Sequence, residues 1–181
     1  LAGLARRGHL IRAIVPRNEE GLNPVPLGIE VEWIPGRGVL YPWTWNVPFL
    51  PPALRACVQW KPDIVRVHSP YCMGLAGLIA ARLTRVPVIA SVLHLGDPIS
   101  GGKWVEERLL QEFDGALCIS KATVATLAER SRRVGHVGWA YCGVSPGFTP
   151  GEPDRKLLES MSITGRKSFF LFLGRLIDRK N

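Results

Sequence analysis

Residues 62–94 read P-D-I-V-R-V-H-S-P-Y-C-M-G-L-A-G-L-I-A-A-R-L-T-R-V-P-V-I-A-S-V-L-H, and this stretch decides the fold class. The apolar run from Asp63 to Val67 is typical of a strand, the segment from Met73 to Leu83 of a helix, and Val86 to Leu93 of a second strand. Short strands that are apolar throughout and alternate with helices favour a parallel sheet covered on both faces. The sequence therefore predicts an α/β domain with a doubly wound parallel sheet.

The same alternation extends in both directions from this stretch. Residues 1–8 predict a helix that feeds a strand, and a Pro- and Trp-rich excursion over Pro35 to Pro52 precedes a helix from Ala53 to Trp60. The remaining predicted elements are the strands Ile11 to Val15, Ile29 to Ile34, Ala116 to Ile119 and Val134 to Ala140, and the helices Lys103 to Phe113 and Ala122 to Ser131.

The alternation stops at Cys142 to Pro153, a segment with three glycines and three prolines. We place the domain boundary there, which gives a first domain over 1–141, a linker with a short helix over 142–165, and the start of a second α/β domain over 166–181. An apolar strand from Ser168 to Leu173 opens that second domain. Because the chain begins at Leu1 without methionine and stops soon after this strand, we expect it to be a fragment.

Composition excludes several classes of protein. The 181 residues are 46% hydrophobic and 21% charged, which argues against disorder. No apolar run approaches the roughly 20 residues that a membrane span needs. The four cysteines are dispersed without a C-x-x-C pair, which predicts buried, reduced thiols in a cytoplasmic protein. No His, Cys or carboxylate residues stand at metal-ligand spacing, so we expect no metal.

The net charge of +8 predicts an anionic partner. The sequence carries no Lys/Arg block longer than two and no nucleic-acid-binding motif, so we expect no nucleic acid as a partner. A small phosphorylated ligand fits at least as well.

Polar residues follow strand after strand at one rim of the predicted sheet, where open parallel sheets bind ligands. They are His68 and Ser69, His94 and Gly96, Ser120 and Lys121, and Arg175. Ser120 is most simply a helix N-cap, and His68 fits a structural and a ligand-binding role equally well. His94, in a glycine-rich loop, is the better candidate for contact with a substrate hydroxyl.

Two apparent catalytic motifs lack residues that their chemistry requires. Gly143 to Gly147 matches G-x-S-x-G, but Pro146 lacks the amide that a hydrolase oxyanion hole needs after its serine. The segment around Gly101 and Lys103 lacks the first glycine of a P-loop and has Trp104 where Ser or Thr holds magnesium.

Taken in order, several segments resemble the family 4 glycosyltransferases. They are L-A-R-R-G-H (4–9), P-D-I-V-R-V-H-S-P (62–70), G-L-A-G-L-I-A-A-R-L (74–83), V-P-V-I-A-S-V-L-H (86–94), C-G-V-S-P-G-F-T-P (142–150) and F-L-G-R-L-I-D-R-K-N (172–181). The resemblance implies the N-terminal half of a GT-B fold, built of two Rossmann-like domains, with the first elements of the second domain. It also implies retention of anomeric configuration without a metal or other cofactor.

The resemblance assigns roles to individual residues. His94 resembles the histidine of the acceptor-side loop that approaches the transferred sugar, and His68, Ser69 and Gly96 are similar to residues lining the same cleft. At the donor side, Gly174, Arg175 and Lys180 resemble the segment that holds the diphosphate.

The sequence is thus interpreted as part of a retaining hexosyltransferase that uses a nucleotide diphosphate sugar and a glycan, lipid or small-molecule acceptor, the fragment itself being inactive. A non-catalytic sugar- or nucleotide-binding α/β module is the alternative. We expect a cytoplasmic protein. In one interpretation, the segment Trp43 to Leu50 makes peripheral contact with the inner face of the membrane. In the other, Trp43, Trp45 and Phe49 cap the core, which fits the sequence equally well.

Overall fold

The computed structural model describes residues 2–17, 27–35, 46–68, 70, 74–93, 95, 103–131, 134–141, 143 and 151–163. The chain divides into two compact units, Leu1–Cys142 and Gly143–Asn181. The helices are α1 Ala2–Ala5, α2 Asn46–Gln59, α3 Gly74–Thr84, α4 Lys103–Leu110, α5 Lys121–Arg130 and α6 Arg155–Ser160. The strands are β1 Ile11–Arg17, β2 Ile29–Pro35, β3 Val65–His68, β4 Val88–Val92, β5 Gly115–Cys118 and β6 His136–Trp139.

All strand pairs in the described residues are parallel, as the alternation of strands and helices predicts. They form two sheets, one of β1 and β2 and one in the order β3-β4-β5-β6. Local periodicity predicted the strand positions, whereas the pairing of the strands depends on contacts between distant segments.

The main core lies on one face of the four-stranded sheet. Consecutive strands that are neighbours in a parallel sheet have right-handed crossovers, which place the connecting helices on the same face. The largest fully buried side chains of this core include Val88, Val92, Leu110 and Leu127, from β4, α4 and α5. Helix α3 approaches β3 closely at Gly77, where a Cβ atom would lie 2.7 Å from Cγ1 of Val67.

Helix α2 starts earlier than predicted, at Asn46 instead of Ala53. It runs through Pro51 and Pro52, each of which removes a backbone hydrogen bond. Packing of the apolar face offsets this loss, because Phe49 is only 5% exposed and contacts a second core cluster with Ile34 and Ala76. Phe49 therefore lies in the core, whereas Trp43 and Trp45 lie outside the described residues. Membrane contact by this segment stays a prediction.

Helix α3 ends through a left-handed residue that is not glycine. Arg85 has φ of 59°, and the amide of Val86 donates to the carbonyl of Ala81 at 2.9 Å. This pattern satisfies an end carbonyl of the helix and turns the chain toward β4.

The described part of the second unit contains one short helix, α6. Asp154 caps it, since its Oδ1 accepts from the amide of Leu157 at 3.2 Å. This helix matches the one predicted from Asp154 to Met161, whereas the predicted strand Ser168 to Leu173 lies outside the described residues.

Candidate functional site

The carboxyl ends of four parallel strands lie side by side in the sheet. His68, the last residue of β3, pairs in register with Ser91 of β4. Further along the sheet, Cys118 at the end of β5 pairs with Val92 on one side and Trp139 on the other. This rim is the one that the sequence predicts as the ligand site, because loop amides and polar side chains converge there.

Of the residues that the resemblance assigns to the cleft and to the diphosphate, His68 is the one that lies within the described residues. Its side chain is exposed at the end of β3, on the same face as Arg66. Partial burial lowers the pKa of His68, and the positive charge of Arg66 lowers it further. The imidazole is therefore biased toward its neutral form, which can accept a hydrogen bond from a hydroxyl group.

Arg66 is held in place by a buried hydroxyl. Its Nε donates to Oγ of Ser91 at 2.8 Å, and Ser91 is 2% exposed. Sequence reasoning missed both residues, because Arg66 alternates with core valines in the middle of a strand and Ser91 lies within an apolar run. Strand register alone brings them together.

Ser120 is confirmed as a helix cap. Its Oγ accepts from the amide of Thr123 at 3.1 Å in the first turn of α5, and its hydroxyl lies 2.9 Å from that of Thr123. A hydroxyl engaged in this way holds the start of α5, so Ser120 has a structural role.

An aromatic and cationic cluster at the same rim was not predicted. The rings of Trp139 and Tyr141 meet edge to face with centroids 5.0 Å apart, and Nζ of Lys121 lies 5.1 Å from the centroid of Trp139. Trp139 is 45% exposed and Tyr141 64% exposed, so both rings present apolar surface to solvent. Lys121 is the first residue of α5, Trp139 is the last residue of β6 and Tyr141 follows it. Only the pairing of β5 with β6 places them together.

The other predicted site residues fall outside the described residues. These are Ser69, His94, Gly96, Gly174, Arg175 and Lys180. Their assigned roles therefore remain predictions.

Over the described residues, no three His, Cys, Asp or Glu side chains group as a metal site would require. Within the same part of the chain, no helix has both the length and the apolar character to cross a bilayer.

Comparison with known proteins assigns the family. Residues 1–148 match the family model described as Glycosyltransferase Family 4. The chain belongs to this family. This match confirms the resemblance to family 4 that the sequence segments show when they are taken in order.

Curated relatives of this family 4 chain include two proteins described as GDP-mannose-dependent alpha-mannosyltransferases. The protein of Mycolicibacterium smegmatis is 29% identical over 98% of this chain and 51% of its own length. The protein of Mycobacterium tuberculosis is 30% identical over 100% of this chain and 51% of its own length. The chain thus spans about half the length of the curated relatives that it matches.

A solved structure shows the same fold. The Anabaena protein Alr3699/HepE, crystallised with UDP and glucose, superimposes with a TM-score of 0.54 at 17% sequence identity. The match covers 75% of this family 4 chain and 38% of the Anabaena chain. The chain has a Rossmann-like α/β fold, as the sequence predicted.

Proposed function

We propose that the full-length protein transfers a hexosyl group from a nucleotide diphosphate sugar to an acceptor hydroxyl, with GDP-mannose as the donor. The observation that carries this proposal is the family 4 match over residues 1–148. The donor follows from the relatives, which are described as GDP-mannose-dependent mannosyltransferases. We further propose that the transferred sugar keeps its anomeric configuration.

The donor diphosphate is assigned to Arg175 and Lys180. When the glycosidic bond breaks, negative charge grows on the departing diphosphate. A guanidinium group can hold two phosphate oxygens as a planar fork while an ammonium group supplies a compact charge, and both stabilise that growing charge. In this proposal the two cationic side chains do the work that a metal ion does in other transferases.

The acceptor is assigned to the rim that carries His68. His94 is proposed to contact the reacting sugar from the loop after β4, with Ser69 and Gly96 lining the cleft. The described geometry supports this assignment at one point, since His68 ends β3 beside β4 with an exposed imidazole biased toward its neutral form.

The activity is tested by incubating the full-length protein with GDP-mannose and a panel of hydroxyl acceptors. The panel contains glucose, glucuronic acid and polyprenyl glycosides, and the product is read by mass spectrometry. We expect a product heavier by one hexose, and NMR of its anomeric proton should show the configuration of the donor. UDP-glucose serves as the matched donor control and should give less product. An inverted anomeric centre would contradict retention, and absence of any transfer from either donor would contradict the proposed activity.

We also propose that the 181-residue chain alone does not catalyse transfer, because it spans about half the length of its relatives. Acceptor-dependent release of nucleoside diphosphate by the isolated chain would contradict this.

A further inference from the structure

One face of β3 carries polar side chains at the rim. Val67 packs into the core against α3, so the alternation of a strand places Arg66 and His68 on the opposite face. Both are exposed. Ser91 pairs with His68 in register and therefore shares this face. A guanidinium, an imidazole and a buried hydroxyl thus lie together beside the carboxyl end of β3.

The guanidinium of Arg66 is held by a hydrogen bond to Ser91. Its Nε uses one of five N–H donors on Oγ of Ser91 at 2.8 Å, and the two terminal nitrogens keep the other four. Among the described residues, the carboxylates of Glu32 and Asp114 pair with other arginines, whereas Arg66 is bound to a neutral hydroxyl. Arg66 is therefore an oriented cation whose charge these carboxylates do not neutralise.

His68 lies within the electrostatic range of that cation. Partial burial of the imidazole is the largest effect that lowers the pKa of His68, and the charge of Arg66 is the second largest. An anion placed against Arg66 would reverse this effect, because it would neutralise the guanidinium charge and favour the imidazolium form.

We propose that Arg66 and His68 form a subsite for an anionic group of the acceptor, a phosphate or a carboxylate held by the terminal nitrogens of Arg66. The inference rests on the proposed function, since it names the acceptor chemistry at the same rim. Alternate residues of a strand are about 7 Å apart along the chain, so the anionic group lies one pleat back from the end of β3. The acceptor is therefore an acidic or phosphorylated sugar or lipid glycoside. Arg66 acts as a positioning and specificity residue, since it contacts the charge of the acceptor and not the reacting atoms.

The test follows the imidazole C–H resonances of His68 by NMR while anions are added to the full-length protein. The probes are inorganic phosphate and glucuronate, with glucose as the neutral control. We expect saturable shifts with at least one anion, a rise in the pKa of His68 in its presence, and no response to glucose. A response to phosphate alone or to glucuronate alone supports the subsite and identifies the anion. Absence of a saturable response to both anions would overturn it.

Variants separate anion binding from structural support. Arg66→Gln keeps a donor for Ser91 but removes the charge, so anion affinity should fall about tenfold or more without a change in Tm. Ser91→Ala removes the hydrogen bond that orients the guanidinium but keeps its charge, so it should weaken anion binding less than Arg66→Gln does. Arg108→Ala, at an exposed arginine on α4, is the matched control and should bind as the wild type does. Equal anion affinity in Arg66→Gln and the wild type would overturn the proposal.

Kinetics provide the second readout. With an anionic acceptor, Arg66→Gln should raise KM and leave kcat nearly unchanged, and with a neutral acceptor it should change neither. The titration needs neither donor nor turnover, so loss of the proposed activity and loss of the anion subsite are distinguished. An equal KM for the anionic acceptor in wild type and Arg66→Gln would contradict a role in acceptor binding.

Discussion

The side chain of Asn46 caps a helix other than its own. Its Oδ1 accepts from the backbone amide of Ala76 at 2.8 Å, in the first turn of α3. Asn46 is 8% exposed and Ala76 is 1% exposed, so this amide has little access to water. The bond joins the start of α2 to the start of α3, the helix that leads from β3 to β4.

Replacing Asn46 should destabilise the fold. Asn46→Ala removes a cap and leaves a buried amide without its acceptor, which should cost about 1 to 3 kcal/mol in the free energy of unfolding. Denaturant titration of both proteins measures this difference. Val47→Ala, at a neighbouring position that is 73% exposed, is the control and should change stability by less than about 0.5 kcal/mol. Equal stability of Asn46→Ala and Val47→Ala would show that the cap contributes nothing.

Protonation of Asp114 at acidic pH should lower the stability of the fold. Burial alone would raise the pKa of Asp114, but the hydrogen bond from the Val88 amide and the interaction with Arg82 together hold it below its usual value. Its Oδ2 accepts from that amide at 2.8 Å, and its Oδ1 lies 2.9 Å from Nη1 of Arg82. A lowered pKa in the folded state stabilises the protein above the unfolded pKa of about 3.9, and this contribution is lost as the pH falls through the folded value.

The corresponding experiment compares the wild type with Asp114→Ala. At pH 7 the variant should be less stable by about 1 kcal/mol, mostly from the lost amide bond, because the partly exposed ion pair is screened by water. The difference in Tm should shrink as the pH is lowered below about 4. Asp63→Ala, at an exposed carboxylate, is the control. A difference between wild type and Asp114→Ala that stays constant from pH 7 to the acid limit would contradict this account.

Two cysteines should react slowly in the folded protein. Cys57 and Cys118 are free and buried, and burial raises the pKa of each thiol. For Cys57, a hydrogen bond with Thr84 opposes this rise in part. Because the thiolate is the reactive form, Cys57→Ser and Cys118→Ser should change the rate of native thiol labelling very little. Labelling in denaturant without reductant should find all four thiols. Rapid native labelling at Cys118, or a stable disulfide, would contradict the prediction.

Local sequence patterns predicted most of the elements but not their pairing. Strands β3 and β4 and helix α3 follow directly from their apolar runs and alanine-rich composition. Helix α2 was predicted to start too late because Pro51 and Pro52 are local helix breakers, whereas burial of Phe49 is a tertiary effect that only the folded chain shows. Strand β6 was predicted from its composition, but its place at the edge of the described sheet, where all four of its residues are exposed, depends on strand order.

The candidate site was predictable only where polar residues follow a strand directly. His68 was found in this way, because it is the last residue of β3. Arg66 and Ser91 carry no such signal, since each is a single polar residue within a strand and their contact depends on the register of β3 with β4. Lys121 was identified as a polar residue that follows β5, but its contact with Trp139 was missed for the same reason.

His94 should affect turnover more than donor binding. If its imidazole bonds a sugar hydroxyl in the transition state, His94→Ala in the full-length protein should lower kcat about 100-fold, with a smaller change in the Kd of GDP-mannose. Steady-state kinetics and calorimetry measure the two quantities. His9→Ala, at an exposed histidine near the start of the chain, is the control. A His94→Ala protein with the kcat of the wild type would leave His94 with a structural role only.

We propose that the protein containing this chain transfers a hexose from a nucleotide diphosphate sugar, with Arg175 at the diphosphate. The most direct measurement is kcat/KM for mannose transfer from GDP-mannose by the full-length protein, with Arg175 intact and with Arg175→Ala. We expect measurable transfer by the wild type and a loss of about 2 to 4 kcal/mol in transition-state stabilisation for Arg175→Ala, with a similar or smaller loss for Lys180→Ala. Wild-type kcat/KM and GDP-mannose affinity in both variants would contradict the diphosphate assignment, and a wild-type protein that transfers no hexose would contradict the proposed function itself.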